Sequence, residues 1–244
     1  MRGICVKDWE AIALRDNCKT SIRRLVHVPA SAEFLGFENG RFCFSGGISK
    51  KPLYQTGDVL FVRETWRAGA AHRFERDARI EFKAGRPNSI IRFPSREPTK
   101  NSDSFDDFVR KWPIGDGYWN GPITMPKEAA RFFLRVNLVR LEHLQDISDE
   151  DCMSEGIRSW TKDGKLYKYF PADTEGDYPA CAWASCPRTP RDAMHRIWDK
   201  YLRSIAPGPW PDVTMRQYGW DANPWVQVVR FERISKEEIL ACEA

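Results

Sequence analysis

The sequence predicts an α+β fold, and three observations lead to it. Residues 59–66 combine β-branched and aromatic side chains after a Thr56-Gly57-Asp58 turn, the pattern of a strand. Residues 132–144 and 225–234 alternate apolar and polar side chains, as half-buried strands do. Short helical stretches separate these strands irregularly, without the strict strand–helix repeat of a parallel α/β sheet.

Taken in order, residues 6–16 put Trp9, Ile12 and Ala13 on one helical face and Asp8, Glu10, Arg15 and Asp16 elsewhere. Asn17 suits the stop, because Asn tolerates the left-handed backbone that ends helices. A basic run starts at Lys19. Residues 78–83 and 90–93 are expected to pair as two strands, and the polar stretch 95–107 to form a loop. Pro126 would open a short helix over 126–131. Along 132–144, Leu134, Val136 and Leu138 oppose Arg135 and Asn137. Ser148 with Asp151 at the third helical position resembles a capping box. Residues 157–188, rich in Lys, Asp, Tyr and Pro, read as an insertion. Pro190 after Thr189 opens a helix with Met194, Ile197, Trp198, Tyr201 and Leu202 on one stripe, and Pro207-Gly208-Pro209 ends that region. The last strand sets Val226, Val228, Arg230 and Glu232 against Gln227, Val229, Phe231 and Arg233.

The bulk properties bound the function. With 244 residues the chain can bury a sizeable core, and 10 Trp, 14 Phe and 7 Tyr exclude disorder throughout. A net charge of +4 and a pI near 8.7 permit a nucleic-acid partner without requiring one. The first ten residues are charged where a secretion signal is apolar, and no apolar run approaches membrane-spanning length. A cytoplasmic location follows as the expectation. Seven scattered Cys without such a signal read as free thiols, and Cys181 and Cys186 are too far apart for a Cys-x-x-Cys knuckle. With four His, neither a metal site nor a cofactor is expected.

Several short segments carry chemistry. In Asn17-Cys18-Lys19-Thr20-Ser21-Ile22-Arg23-Arg24, three cations within six residues can hold a phosphate or form a solvated run. Arg63-Glu64-Thr65-Trp66 offers an acid and an aromatic ring: Trp66 either stacks on a base or sits in the core with a structural ion pair nearby. Glu155 lies seven residues past Ser148, two turns along the capped face, and on residues alone reads as an exposed acid. Lys127 and Arg131 would share a helix face, touching phosphate or water. In Gly219-Trp220-Asp221-Ala222-Asn223-Pro224-Trp225, Asp221 and Asn223 favour a turn and Pro224 fixes the strand entry. That segment reads first as a rigid corner, and second as Trp220 and Asn223 beside a ligand pocket.

These segments, with Thr56-Gly57-Asp58-Val59-Leu60 and Asp146-Ile147-Ser148-Asp149-Glu150, resemble the ASCH-domain family of the PUA-like superfamily, and most closely its long phage and prophage members. The family signature Gly-x-Lys-x-x-Glu/Thr-x-Arg is met at Lys19 and Arg24, while Asn17 and Ile22 depart from it. The resemblance implies one domain over 1–244, a mixed pseudo-β-barrel flanked by short helices, with insertions at about 67–124 and 157–218. It implies a ligand among RNA, single-stranded DNA and modified nucleosides or nucleotides, in the cytoplasm of a bacterial host. The implied cleft carries Lys19, Thr20, Arg23, Arg24, Glu64, Trp66, Lys127, Trp220 and Asn223, with Glu64 pairing Lys19 or Arg24.

A more distant similarity, to the bacterial N4-acetylcytidine amidohydrolases, runs through the Lys19-Thr20 pair, the 56–60 turn and strand, the last strand and Glu155. It implies a hydrolase, an N4-acylcytidine amidohydrolase or a ribonuclease, with Lys19 as a desolvated base and Glu155 as proton relay. Those enzymes use a Thr hydroxyl where this chain has Ile22, and Ile cannot attack a carbonyl. Binding without catalysis is therefore the first expectation, and hydrolysis by a water nucleophile the second. A phage accessory protein that engages a host protein through its insertions is the third.

Overall fold

A computed structural model describes residues 1–95, 103–115, 117–172, 182–205 and 211–243. Its strands are β1 (Arg2–Cys5), β2 (Ser21–Leu25), β3 (Phe34–Glu38), β4 (Arg41–Phe44), β5 (Ile48–Lys50), β6 (Val59–Arg63) and β7 (Trp66–His72). They continue with β8 (Asp77–Phe82), β9 (Ser89–Arg92), β10 (Phe133–His143), β11 (Ile157–Thr161), β12 (Tyr167–Pro171) and β13 (Trp225–Ile234). The α-helices are α1 (Asp8–Arg15), α2 (Ser104–Lys111), α3 (Asp149–Ser154), α4 (Pro190–Ile205), α5 (Pro211–Tyr218) and α6 (Lys236–Glu243). The class is α+β. Strand order is β1-β6-β10-β13-β2 in the largest sheet, β3-β4-β5 and β7-β8-β9 in two others, and β11-β12 in a hairpin; no closed barrel forms among the described residues. No helix among them is long and apolar enough to cross a membrane.

The chain divides into two compact units. One comprises Met1–Ile12, Val59–Leu134 and Arg233–Ala244; the other comprises Ala13–Asp58 and Arg135–Glu232. In the first, β1 runs parallel to β6, and the β7-β8-β9 sheet wraps a core of Trp66, Ile80, Phe82, Phe108, Met125 and Phe133. In the second, β13 pairs antiparallel with β2, Val229 opposite Ile22 and Arg230 opposite Ser21. Its main core joins Leu144, Ile147, Ile157, Trp198, Val226 and Val228, and a satellite core lies under β3-β4-β5 around Phe42 and Phe44. Each large side chain so buried contributes roughly 1.5–3 kcal/mol.

Several elements follow their local chemistry. Asn17 takes φ 56° beyond α1, and Ser148 accepts from the Asp151 amide at the start of α3. Four expectations need correction. The 59–66 strand stops at Arg63, and Trp66 starts a new strand bridged on both sides to Asn120. Residues 96–102 of the expected loop lie outside the described residues, but Asp103 caps α2 by accepting from the Phe105 and Asp106 amides, so the rest is helical. The 126–131 helix is one 3₁₀ turn over Lys127–Ala129. Glu10, placed off the apolar face of α1, is nonetheless buried and accepts from the Lys7 amide. The Pro207-Gly208-Pro209 stop falls outside the described residues.

Cysteine usage also differs from the expectation. Cys5, Cys18, Cys43 and Cys152 are free, but Cys186 is disulfide-bonded.

Candidate functional site

The second unit gathers charges that are far apart in the chain. Lys19 lies between α1 and β2, where the Thr20 amide donates to the Ser154 carbonyl and the Thr20 carbonyl accepts from the Phe231 amide. That pins the segment between α3 and β13. Lys19 Nζ then donates to the Glu155 carbonyl at 2.7 Å and to Glu155 Oε2 at 2.9 Å, across 136 residues of sequence. A cation there satisfies a carbonyl at the negative end of α3. Both side chains are almost fully buried, 0% exposed for Lys19 and 2% for Glu155.

Arg23 closes the pair from the other side. Its guanidinium donates to Glu155 Oε1 at 2.9 Å, to Glu142 Oε1 at 2.7 Å and to Asp151 Oδ2 at 3.1 Å. Arg140 bridges Glu142 at 2.7 Å and Asp151 at 2.6 Å, and Arg230 reaches Asp151 Oδ1 at 2.6 Å. Among the described residues four cations thus meet three carboxylates, and exposure rises outward from Lys19 to Arg140 and Arg230. Strand periodicity explains the convergence. Arg23 shares a face of β2 with Ser21, whose cross-strand partner is Arg230, and Arg140 and Glu142 are two apart on β10. The Ser21 hydroxyl is buried and has no hydrogen-bond partner among the described residues.

The electrostatics follow from this packing. Burial would lower the Arg23 guanidinium, but the charges of Glu155 and Glu142 outweigh it and hold the value up. Burial would raise Asp151, but the Arg230 hydrogen bond and the charges of Arg23 and Arg140 hold its carboxyl below the ordinary value. Burial pushes the nearby Cys152 thiol up to about 12, which makes it an inert thiol rather than a nucleophile. A carboxyl lowered on folding contributes stability that is complete above its ordinary value, about pH 4, and lost as pH falls through the folded value. Denaturant unfolding at pH 7, 4 and 3 should therefore show a falling midpoint, with a shallower fall in Asp151→Asn. An equally steep fall in that variant would assign the acid sensitivity to other carboxylates.

Beside the cluster lies a cavity of about 680 Å³ in the same unit. Phe34, Phe37, Phe42 and Tyr54 form aromatic walls, and Arg140 belongs to both the cavity and the ion cluster. Phe37 is 55% exposed and Phe34 37%, the latter packed against Phe42, Phe44 and Trp225.

The other expected site residues lie elsewhere. Thr20 is exposed and contributes its backbone. Arg24 pairs in register with Gln227 on the opposite face of β2 from Arg23, and donates to the Arg23 carbonyl. Ile22, at the signature position, is a core residue, 1% exposed. Glu64, Trp66 and Lys127 belong to the first unit. The expected pairing of Glu64 with Lys19 or Arg24 is replaced by a bidentate bond from Arg131, at 2.6 and 2.9 Å. Arg131 spends its remaining donors on the Gly85 and Pro87 carbonyls, so it is no phosphate contact. Trp66 is 0% exposed, donates to Thr124 Oγ1 and packs edge-on to Trp112, which leaves no face for a base.

Trp220 and Asn223 form the rigid corner. Asn223 takes φ 47°, accepts from the Gln145 amide at 2.7 Å, and through its carbonyl holds His143 Nδ1 at 2.8 Å. Trp220 is buried under a stacked His195. No protein-family model, curated protein or solved structure matches this chain.

Sequence reasoning missed Arg140, Glu142, Arg230 and the aromatic cavity. For the first three the signal was a charge on every second strand residue. For the cavity it was the aromatic spacing Phe34, Phe37, Phe42 and Phe44.

Proposed function

We propose that this chain is an ASCH-type, PUA-like protein of phage or prophage origin that binds single-stranded RNA or DNA, or a modified nucleoside or nucleotide, in the cytoplasm of a bacterial host. One observation carries the reading: an aromatic-walled cavity shares Arg140 with a half-buried cluster of four cations and three carboxylates among the described residues. Aromatic faces hold bases without needing a particular sequence, and Arg230, the most exposed cation of the cluster at 48%, is the charge offered to a backbone phosphate. The volume lies within the usual range of small-ligand sites, roughly 300–1,000 Å³. In this reading Lys19, Arg23, Arg140 and Glu155 are scaffold, and Arg230, Phe37 and Tyr54 make the contacts. Glu64, Trp66, Trp220 and Asn223 are committed within the fold and make no ligand contact in this reading.

Fluorescence anisotropy with labelled single-stranded RNA and DNA, over a range of salt, tests it. Phe37→Ala should weaken binding about tenfold or more, since stacking of one base contributes roughly 1–3 kcal/mol. Arg230→Ala should lower affinity uniformly across sequences and reduce the salt slope by about one. A thermal-shift screen of nucleosides and nucleotides covers the small-ligand form, because a ligand that binds the folded state raises its stability. Wild-type affinity in Phe37→Ala, or no binding to any of these probes, would sink the reading. Recovery of a host protein in that case would favour an accessory protein.

The hydrolase reading keeps two supports: Lys19 and Glu155 meet, and the Ser21 hydroxyl is unspent. Against it, Ile22 supplies no nucleophile, and Lys19 Nζ already donates to the Glu155 carboxylate and carbonyl. Release of cytidine from N4-acetylcytidine, abolished in Ser21→Ala, would favour it over binding alone.

A further inference from the structure

The first unit holds a second cavity, of about 380 Å³, that no part of the nucleic-acid reading uses. Its floor is apolar. Ile91, Phe133 and Ile239 are each 5–6% exposed, and Ile90 at the mouth is 51% exposed. Its rim carries three cations from three elements: Arg92 on β9, Lys127 in the 3₁₀ turn and Lys236 at the start of α6. Glu128 is the one acid among its lining residues.

These cations are unspent. Among the described residues, none of the Arg92, Lys127 and Lys236 side chains has a hydrogen bond or ion pair, whereas Arg131 close by is fully committed to Glu64 and two carbonyls. The elements that carry them are fixed. Ser89 Oγ donates to the Ala129 carbonyl at 2.7 Å, tying β9 to the 3₁₀ turn. Ser235 and Glu238 form a reciprocal capping box that sets the first turn of α6. Three cations on fixed elements against the single acid Glu128 leave a net positive rim, and an anion relieves the repulsion among them.

We propose that this cavity binds an amphipathic organic anion, with its apolar body on Ile91, Phe133 and Ile239 and its single anionic head among Arg92, Lys127 and Lys236. The apolar floor excludes a bare inorganic ion as the intended ligand, and the three cations exclude a neutral one. The volume fits a short chain or single ring rather than a polymer.

The test uses the full chain with ¹³C-labelled Ile methyl groups, titrated with octanoate, octyl phosphate and 1-octanol. Either anion should shift the Ile90, Ile91 and Ile239 methyl signals saturably, and octanol should bind at least about tenfold more weakly. Which anion binds more tightly tells a carboxylate head from a phosphate. Lys127→Ala and Lys236→Ala, both exchanges of side chains without partners among the described residues, should each weaken the anion about tenfold while leaving octanol unchanged. Phe37→Ala, in the other cavity, should have no effect here, which keeps this result separate from the nucleic-acid reading. Equal affinity for octanol, wild-type affinity in both lysine variants, or shifts confined to other Ile residues would overturn the proposal.

Discussion

Glu155→Ala should cost about 3–5 kcal/mol of folding stability. Its carboxylate faces two cations with no access to water: Lys19 at 2.9 Å and Arg23 at 2.9 Å, both with side chains 0% exposed. Removing it strands buried positive charge, and the penalty is the desolvation of those cations rather than the net value of the pair. The order among variants is the sharper expectation. Lys19→Met removes a charge but leaves Glu155 held by Arg23, so it should cost less, about 1–3 kcal/mol for the freed carbonyl and lost bond. The double variant Lys19→Met with Glu155→Leu should be less destabilised than the sum of its singles, because neither partner is then left alone. Urea unfolding followed by tryptophan fluorescence and circular dichroism checks all three. A Glu155→Ala protein with the wild-type midpoint would show that water reaches the cluster, and scaffold would be the wrong role for it.

The same cluster shows where sequence reading succeeds and where it stops. Elements governed by near neighbours were legible: α1 with its Asn17 stop, the Ser148 cap, the α4 stripe around Met194, Trp198 and Leu202, and the existence of β13, although Val226, Gln227, Val228 and Val229 are all buried rather than alternating. Lys19 and Arg23 stood out as a basic run, and Glu155 stood out through a family resemblance. Their partners did not. Whether Arg140 faces Asp151 or solvent depends on strand register and on how α3 docks, and six residues of helix carry no such information. The polar side chains of β10 therefore read as a wet face when two of them are half-buried network members. The β3–β4 hairpin had a local signal that went unused. Asn39 and Gly40 both take positive φ, 49° and 72°, as a two-residue hairpin turn requires. That turn places Phe34, Phe37 and Phe42 together and so builds the cavity wall.

Trp66→Ala should be the other large loss, about 3–5 kcal/mol, and its effect should fall on stability rather than on binding. The sequence left Trp66 either stacking on a base or sitting in the core beside a structural ion pair, and the second is found, with Glu64 paired to Arg131 next to it. The strand stops at Arg63 and resumes at Trp66, which exchanges both bridge hydrogen bonds with Asn120, at 3.1 and 2.7 Å. A restart resets the alternation of faces, so the residue's side cannot be counted forward from Val59. The ring goes inward against Trp112 and Phe108, with its indole nitrogen satisfied by Thr124 Oγ1 at 3.2 Å. Trp66→Phe separates the contributions. It keeps most of the apolar body and loses the hydrogen bond, so its cost should be smaller, with about 1 kcal/mol from that bond. Any protein that remains folded in either variant should bind single-stranded RNA with wild-type affinity. A stacking Trp would behave in the opposite way, with an unchanged unfolding midpoint and an affinity loss of roughly 1–3 kcal/mol. That outcome would return the ligand site to the Arg63-Glu64-Thr65-Trp66 segment and away from the Phe37 cavity.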